Sequence, residues 1–156
     1  MLHTAAEQGY VDIMRILIDG GADVNKVAMF GDLSNVTALH LSVMNRHLDA
    51  MKLLISSGAN LNISKLFQQR GGFTPLYLAV KSQDYEMAKE LLDSKCDVNR
   101  PRDDGWTPLH AAAEQGLLEM TKLLLDYQAS VNAQASFESN AKVLPLHQAS
   151  QEGHFE

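Results

Sequence analysis

The stretch Thr107-Pro108-Leu109-His110-Ala111-Ala112-Ala113-Glu114-Gln115-Gly116 decides the fold. Thr107 can accept a hydrogen bond from an unpaired N–H of a first helical turn, and Pro108 suits the first helical position because it has no N–H to leave unsatisfied. A short helix from about Pro108 to Gln115 is predicted. Gly116 supplies a left-handed residue that stops it, and Leu118 to Tyr127 reads as a second helix whose leucines, Leu123 to Leu125, face neighbouring helices. A unit this small buries its faces only against others like itself.

The copies lie to either side. Leu-His or Leu-Tyr pairs fall at Leu2-His3, Leu39-His40, Leu76-Tyr77, Leu109-His110 and Leu146-His147, in steps of 37, 37, 33 and 37 residues. A second marker keeps the same rhythm: Gly21-Ala22-Asp23-Val24-Asn25, Gly58-Ala59-Asn60-Leu61-Asn62, Lys95-Cys96-Asp97-Val98-Asn99 and Gln128-Ala129-Ser130-Val131-Asn132. An acid opens each second helix, at Asp12, Asp49, Glu86, Glu119 and Glu156. There a carboxylate meets the positive end of the helix dipole, which is worth about a few tenths of a kcal/mol.

On these residues the chain resembles the ankyrin-repeat family, whose period is 33 residues and whose signature includes a Thr-Pro-Leu-His-x-Ala run. The resemblance covers essentially the whole chain and implies an all-α solenoid of stacked helix-turn-helix units joined by hairpin loops. The expected division is a partial repeat over 2–25, repeats over 26–62, 63–99 and 100–132, and a truncated repeat over 133–156, together a slice of a longer array. Raw ends of such an array are expected to expose apolar surface, open to end-to-end self-association. Some positions depart from the pattern. Thr37-Ala38 lacks the proline, Leu144-Pro145 lacks the threonine, and Arg46 and Gln83 stand where Gly9, Gly116 and Gly153 end the first helix. A left-handed conformation at those two residues would cost roughly 1 kcal/mol each. Glu90 replaces the apolar residue of Ile16, Leu53 and Leu123, which makes the third repeat the candidate for the weakest internal one.

Composition narrows the function. With 13 Lys and Arg against 19 Asp and Glu, the chain carries a formal charge of −6, which disfavours nucleic acid as a partner. Its one cysteine, Cys96, allows neither an internal disulfide nor a cysteine metal cage and fits a reducing compartment. No apolar run approaches the roughly 18 residues of a membrane span, and no basic-then-apolar leader precedes the first helical pattern, so a cytoplasmic or nuclear address is expected.

The repeat also accounts for the six histidines. His3, His40, His110 and His147 share the Leu-His place, and His47 and His154 share the place before the second helix. In the family the first set bonds to backbone and ties adjacent hairpins together. Tyr77 stands in the same column, where a shared ligand or general-base role would not permit it. Cys96 falls in the column of Ala22, Ala59 and Ala129, where a small apolar residue packs. No Gly-rich phosphate loop, Gly-x-Ser-x-Gly elbow or His-Glu-x-x-His pair is present. The chain is therefore expected to be no enzyme and to need no cofactor or metal.

Positions that vary freely between copies are candidates for recognition. In the family the binding surface is usually the concave side, formed by hairpin tips and the inward face of each first helix. Carried over, the helix positions are Glu7 and Gln8, Met44 and Asn45, Lys81 and Ser82, Glu114 and Gln115, and Gln151 and Glu152. The hairpin positions include Phe73, Asp103, Asp104 and Trp106. Trp106 is expected to project from its hairpin as a binding anchor, the rival being that it packs on the adjacent hairpin. Asp103, Asp104, Glu114 and Glu7 would favour a protein or peptide partner with basic residues, and Trp106→Ala would weaken binding without moving the melting transition. The alternative is an architectural or regulatory segment packed within a larger enzyme, channel or ubiquitin-ligase adaptor.

The hairpins hold a further signal. Asn25 to Thr37, Asn62 to Thr74 and Asn132 to Leu144 each span 12 steps, against 8 from Asn99 to Thr107, so three loops read as lengthened by four residues. Each long loop places phenylalanine five residues after its asparagine, at Phe30, Phe67 and Phe137. Burying one Phe is worth roughly 1.5–3 kcal/mol, so the three are expected to pack against neighbouring hairpins or first helices, with partner anchoring as the rival reading.

Overall fold

Thr37, Thr74 and Thr107 each start a helix by accepting the N–H three residues on, from His40, Tyr77 and His110. The computed structural model describes residues 1–30, 33–67, 70–136 and 142–151. Within them the first helices are α1 (Leu2–Gln8), α3 (Ala38–Met44), α5 (Pro75–Lys81), α7 (Pro108–Glu114) and α9 (Pro145–Gln151). The second helices are α2 (Val11–Asp19), α4 (Leu48–Ser56), α6 (Tyr85–Asp93) and α8 (Leu118–Asp126). Each first helix packs on the next, α1 on α3, α3 on α5, α5 on α7 and α7 on α9, which is the linear stacking of a solenoid.

The core follows the columns of the sequence. Leu54, Leu91 and Leu124 hold one place in successive second helices and are fully buried, as are Leu39 and Leu76 in the first helices. Leu123 and Leu124 face inward as expected, whereas Leu125 is exposed, one position further round the helix. Glu90 is half-buried and meets Lys52 of the preceding repeat at 3.5 Å, a pair exposed enough to be worth only about 0–1 kcal/mol.

The expected left-handed residues are present. Arg46 has φ 58° and Gln83 has φ 57°, beside Gly9 at 71° and Gly116 at 64°. Each carries a cross-repeat bond: Arg46 Nε donates to Asp84 at 3.0 Å, and Gln83 Nε2 donates to Gln115 Oε1 at 3.1 Å. Lys95 and Gln128 are left-handed too, in the column that Gly21 and Gly58 occupy.

Asparagines join the turns after the second helices. Asn25 Oδ1 accepts the Asn60 N–H at 2.6 Å, Asn62 Oδ1 that of Asp97 at 2.8 Å, and Asn99 Oδ1 that of Ser130 at 2.7 Å. Each side chain reaches the following repeat, while Asp23, Asn60 and Asp97 close the turn locally.

The hairpins form a β-layer. Strands β1 (Ala28–Phe30), β2 (Leu33–Val36), β3 (Lys65–Phe67) and β4 (Arg70–Phe73) make one antiparallel sheet in that order, with β2 and β3 pairing across the repeat boundary. Strands β5 (Ala135–Ser136) and β6 (Lys142–Val143) pair separately. The Asp103 N–H donates to Gly71 O at 3.1 Å and the Ser136 N–H to Asp104 O at 2.7 Å, so the hairpin at 100–107 bridges the two sheets. The side chains of Phe30, Phe67 and Phe137 lie outside the described residues.

Candidate functional site

Histidine links run along the base of the hairpins. His40 Nδ1 accepts the Thr37 N–H at 3.2 Å, which leaves Nε2–H to donate to Phe73 O of the next hairpin at 3.2 Å. His110 repeats this with Thr107 at 3.3 Å and Val143 O at 3.1 Å, and His3 Nε2 reaches Val36 O at 3.0 Å. His47, at the N-terminus of α4, reaches back to Glu7 O at 2.9 Å. Among the described residues no group of three or more His, Cys, Asp or Glu side chains is placed to hold a metal ion.

The column breaks at Tyr77, and Arg102 fills the gap. Its guanidinium lies 4.9 Å from the Phe73 ring centroid and 5.4 Å from that of Tyr77, donates to the Tyr77 hydroxyl at 3.0 Å, and meets Asp104 at 2.7 Å. A cation over two rings with a carboxylate beside it replaces the imidazole-to-carbonyl link. The sequence signal was Tyr77 itself, the one residue in its column without an imidazole.

The expected recognition residues separate into engaged and open ones. Trp106 does not project: it is only 7% exposed, with its ring 5.2 Å from the His110 imidazole. Its hairpin turns sharply at Gly105, the Trp106 N–H donates to Asp104 at 3.0 Å, and its carbonyl accepts the Arg102 N–H at 2.9 Å. That turn lays the indole on the first helix. Phe73 is half-buried beneath Arg102, and Asp104 is neutralised by it, while Asp103 is exposed.

On the first helices, Lys81 Nζ meets Glu114 at 2.8 Å, and Gln115 is tied to Gln83, so Lys81, Glu114 and Gln115 stand together. Gln8, Asn45 and Ser82 are exposed, Glu7 is half-buried, and Met44 is 38% exposed. The side chain of Gln151 and the whole of Glu152 lie outside the described residues. Cys96 is buried, and desolvation pushes its thiol up to about 12, which suits an inert packing residue.

Burial lowers the His110 pKa below the ordinary 6.5, against the opposing pull of Val143 O and Asp104. The unfolded imidazole therefore takes up its proton first, and its contribution to stability is complete above about pH 6.5 and is lost as pH falls through that value toward the folded pKa. Denaturation midpoints measured from pH 7.5 to 5 should fall more steeply for the native chain than for His110→Asn.

The family model described as ankyrin repeats in three copies matches residues 1–65, 64–135 and 100–156. A search of curated proteins gives no match. Together the matched stretches span the chain from end to end and take in the histidines and asparagines that join one repeat to the next: this chain belongs to the ankyrin-repeat family.

Proposed function

We propose that this chain is a non-catalytic module that binds a partner protein or peptide over the inward ends of its first helices and the hairpin tips. Ankyrin repeats are in general protein-protein interaction modules, and the family is generally non-enzymatic. The carrying observation is the split between places. In the three internal copies the helix-opening threonines and the Leu-His or Leu-Tyr pairs are buried, and Asn25, Asn62 and Asn99 bond to the next repeat, whereas Gln8, Met44, Asn45, Ser82 and Asp103 vary between copies and face solvent. Met44 is the apolar contact in a row otherwise made of Glu7, Lys81, Glu114 and Gln151. Exposed Asp103 and half-buried Glu7 favour basic residues on the partner, in the cytoplasm or nucleus; Asp104, paired with Arg102, contributes little to that preference.

A pull-down read by mass spectrometry identifies the partner, and titration then tests the surface. Met44→Glu and Asp103→Lys should each weaken binding about tenfold or more while the denaturation midpoint stays put. Undiminished affinity in the double variant would remove this surface from consideration.

A second reading has its own support. Ile13 is 50% and Ile16 71% exposed, whereas Ala50, Met87 and Met120 are buried in the column of Ile13, and in the column of Ile16 Leu53 and Glu90 are half-buried and Leu123 is buried. A helix face of this composition suits packing against further repeats of a longer array, another module or another copy.

A further inference from the structure

We propose that Ser56 is a phosphorylation site whose phosphate settles between Lys52 and Arg15, in the recess that α4 shares with α2. The first observation is its column. Asp19, Asp93 and Asp126 hold the place of Ser56 in α2, α6 and α8, so a hydroxyl stands in a row of carboxylates. The second is a base left without its acid. Each second helix carries a cation four residues before that place, at Arg15, Lys52, Lys89 and Lys122. In α6 the pair closes, with Lys89 Nζ 2.8 Å from Asp93. In α4 Ser56 offers no charge, and Lys52 reaches instead to Glu90 of the next repeat at 3.5 Å. The third is space. Arg15, Lys52 and Ser56 line one open recess together with Asp49 and Glu90, and all of its walls come from α2, α4 and α6.

Ser56 is also within reach of an enzyme. It is exposed, it is the last residue of α4, and the left-handed turn at Gly58 follows. Helix ends open most readily, which lets a kinase take the segment in extended form. The Ser56 hydroxyl donates to Leu53 O at 2.9 Å, but that carbonyl keeps the Ser57 N–H at 3.0 Å and the Ser57 hydroxyl at 2.7 Å when Ser56 leaves. The phosphoryl donor is ATP held by a serine kinase. Ser56 Oγ bonds to the γ-phosphorus, the bond from that phosphorus to the β–γ bridging oxygen breaks, ADP departs, and the hydroxyl proton passes to the kinase. The product carries a charge of roughly −1.5 to −2 one helical turn after Lys52. It draws Lys52 from Glu90 and meets Arg15 across the recess, exchanging a link from α4 to α6 for one from α4 to α2.

The chain isolated from its source cells with phosphatases inhibited, digested and read by mass spectrometry, should carry phosphate on Ser56 and none on Ser57. Phosphoserine installed at position 56 by genetic encoding gives a second readout, the phosphate pKa followed by phosphorus NMR. Lys52→Gln and Arg15→Gln should each raise that pKa by about 0.2–0.4, the size of one exposed ion pair, because each removes a cation that favours the dianion. Glu90→Gln should lower it, since it frees Lys52 and removes a repelling charge. No phosphate on Ser56, or a pKa that neither cation variant moves, would overturn the proposal. Phosphate on Ser57 in place of Ser56 would assign the modification to the half-buried neighbour and overturn it as well.

Discussion

Trp106→Ala should lower the unfolding free energy by about 3–5 kcal/mol, the usual cost of emptying a buried aromatic site. The ring is 7% exposed and covers His110, whose imidazole carries the bond to Val143 O of the following hairpin. Truncation would open that imidazole to water and loosen the junction between α7 and α9. Repeat arrays lose stability interface by interface, so the effect should be uneven along the chain. Hydrogen exchange should accelerate first in α7 to α9 and least in α1 to α4, and Trp106→Phe should restore most of the midpoint. A Trp106→Ala chain that melts with the native one would mean that the indole contributes no packing.

That expectation reverses what the sequence suggested for the same residue, and the reason is geometric. The repeat columns gave the helices, the left-handed sites at Arg46 and Gln83, and the histidine places, because each follows from spacing. The direction of the Trp106 ring follows instead from the turn at Gly105 and from what the next element offers within reach. No periodicity encodes that. Arg102 was hidden for a similar reason, since its role depends on Phe73 and Tyr77 arriving beside it from the preceding repeat. Lys95 and Gln128 follow from spacing as well: they stand in the column of Gly21 and Gly58, the left-handed residue just past each second helix, and make the same pair of closing backbone bonds.

Gly72→Ala should cost about 2–4 kcal/mol, and Gly58→Ala shows how that cost divides. Both glycines are left-handed, with φ 86° and 84°. A Cβ at Gly58 would meet nothing within 4 Å, so its substitution carries the backbone strain alone, about 1 kcal/mol. A Cβ at Gly72 would lie 2.5 Å from Arg102 Cα and 2.8 Å from Asp103 N. Those atoms are backbone and cannot rotate aside, so an overpacking cost of about 1–3 kcal/mol is added to the strain. The hairpins would have to part, breaking the Asp103-to-Gly71 bond and drawing Arg102 away from Phe73 and Tyr77. Chemical denaturation of the two variants side by side measures the difference. If Gly72→Ala costs no more than Gly58→Ala, the close approach of the two hairpins contributes nothing to stability.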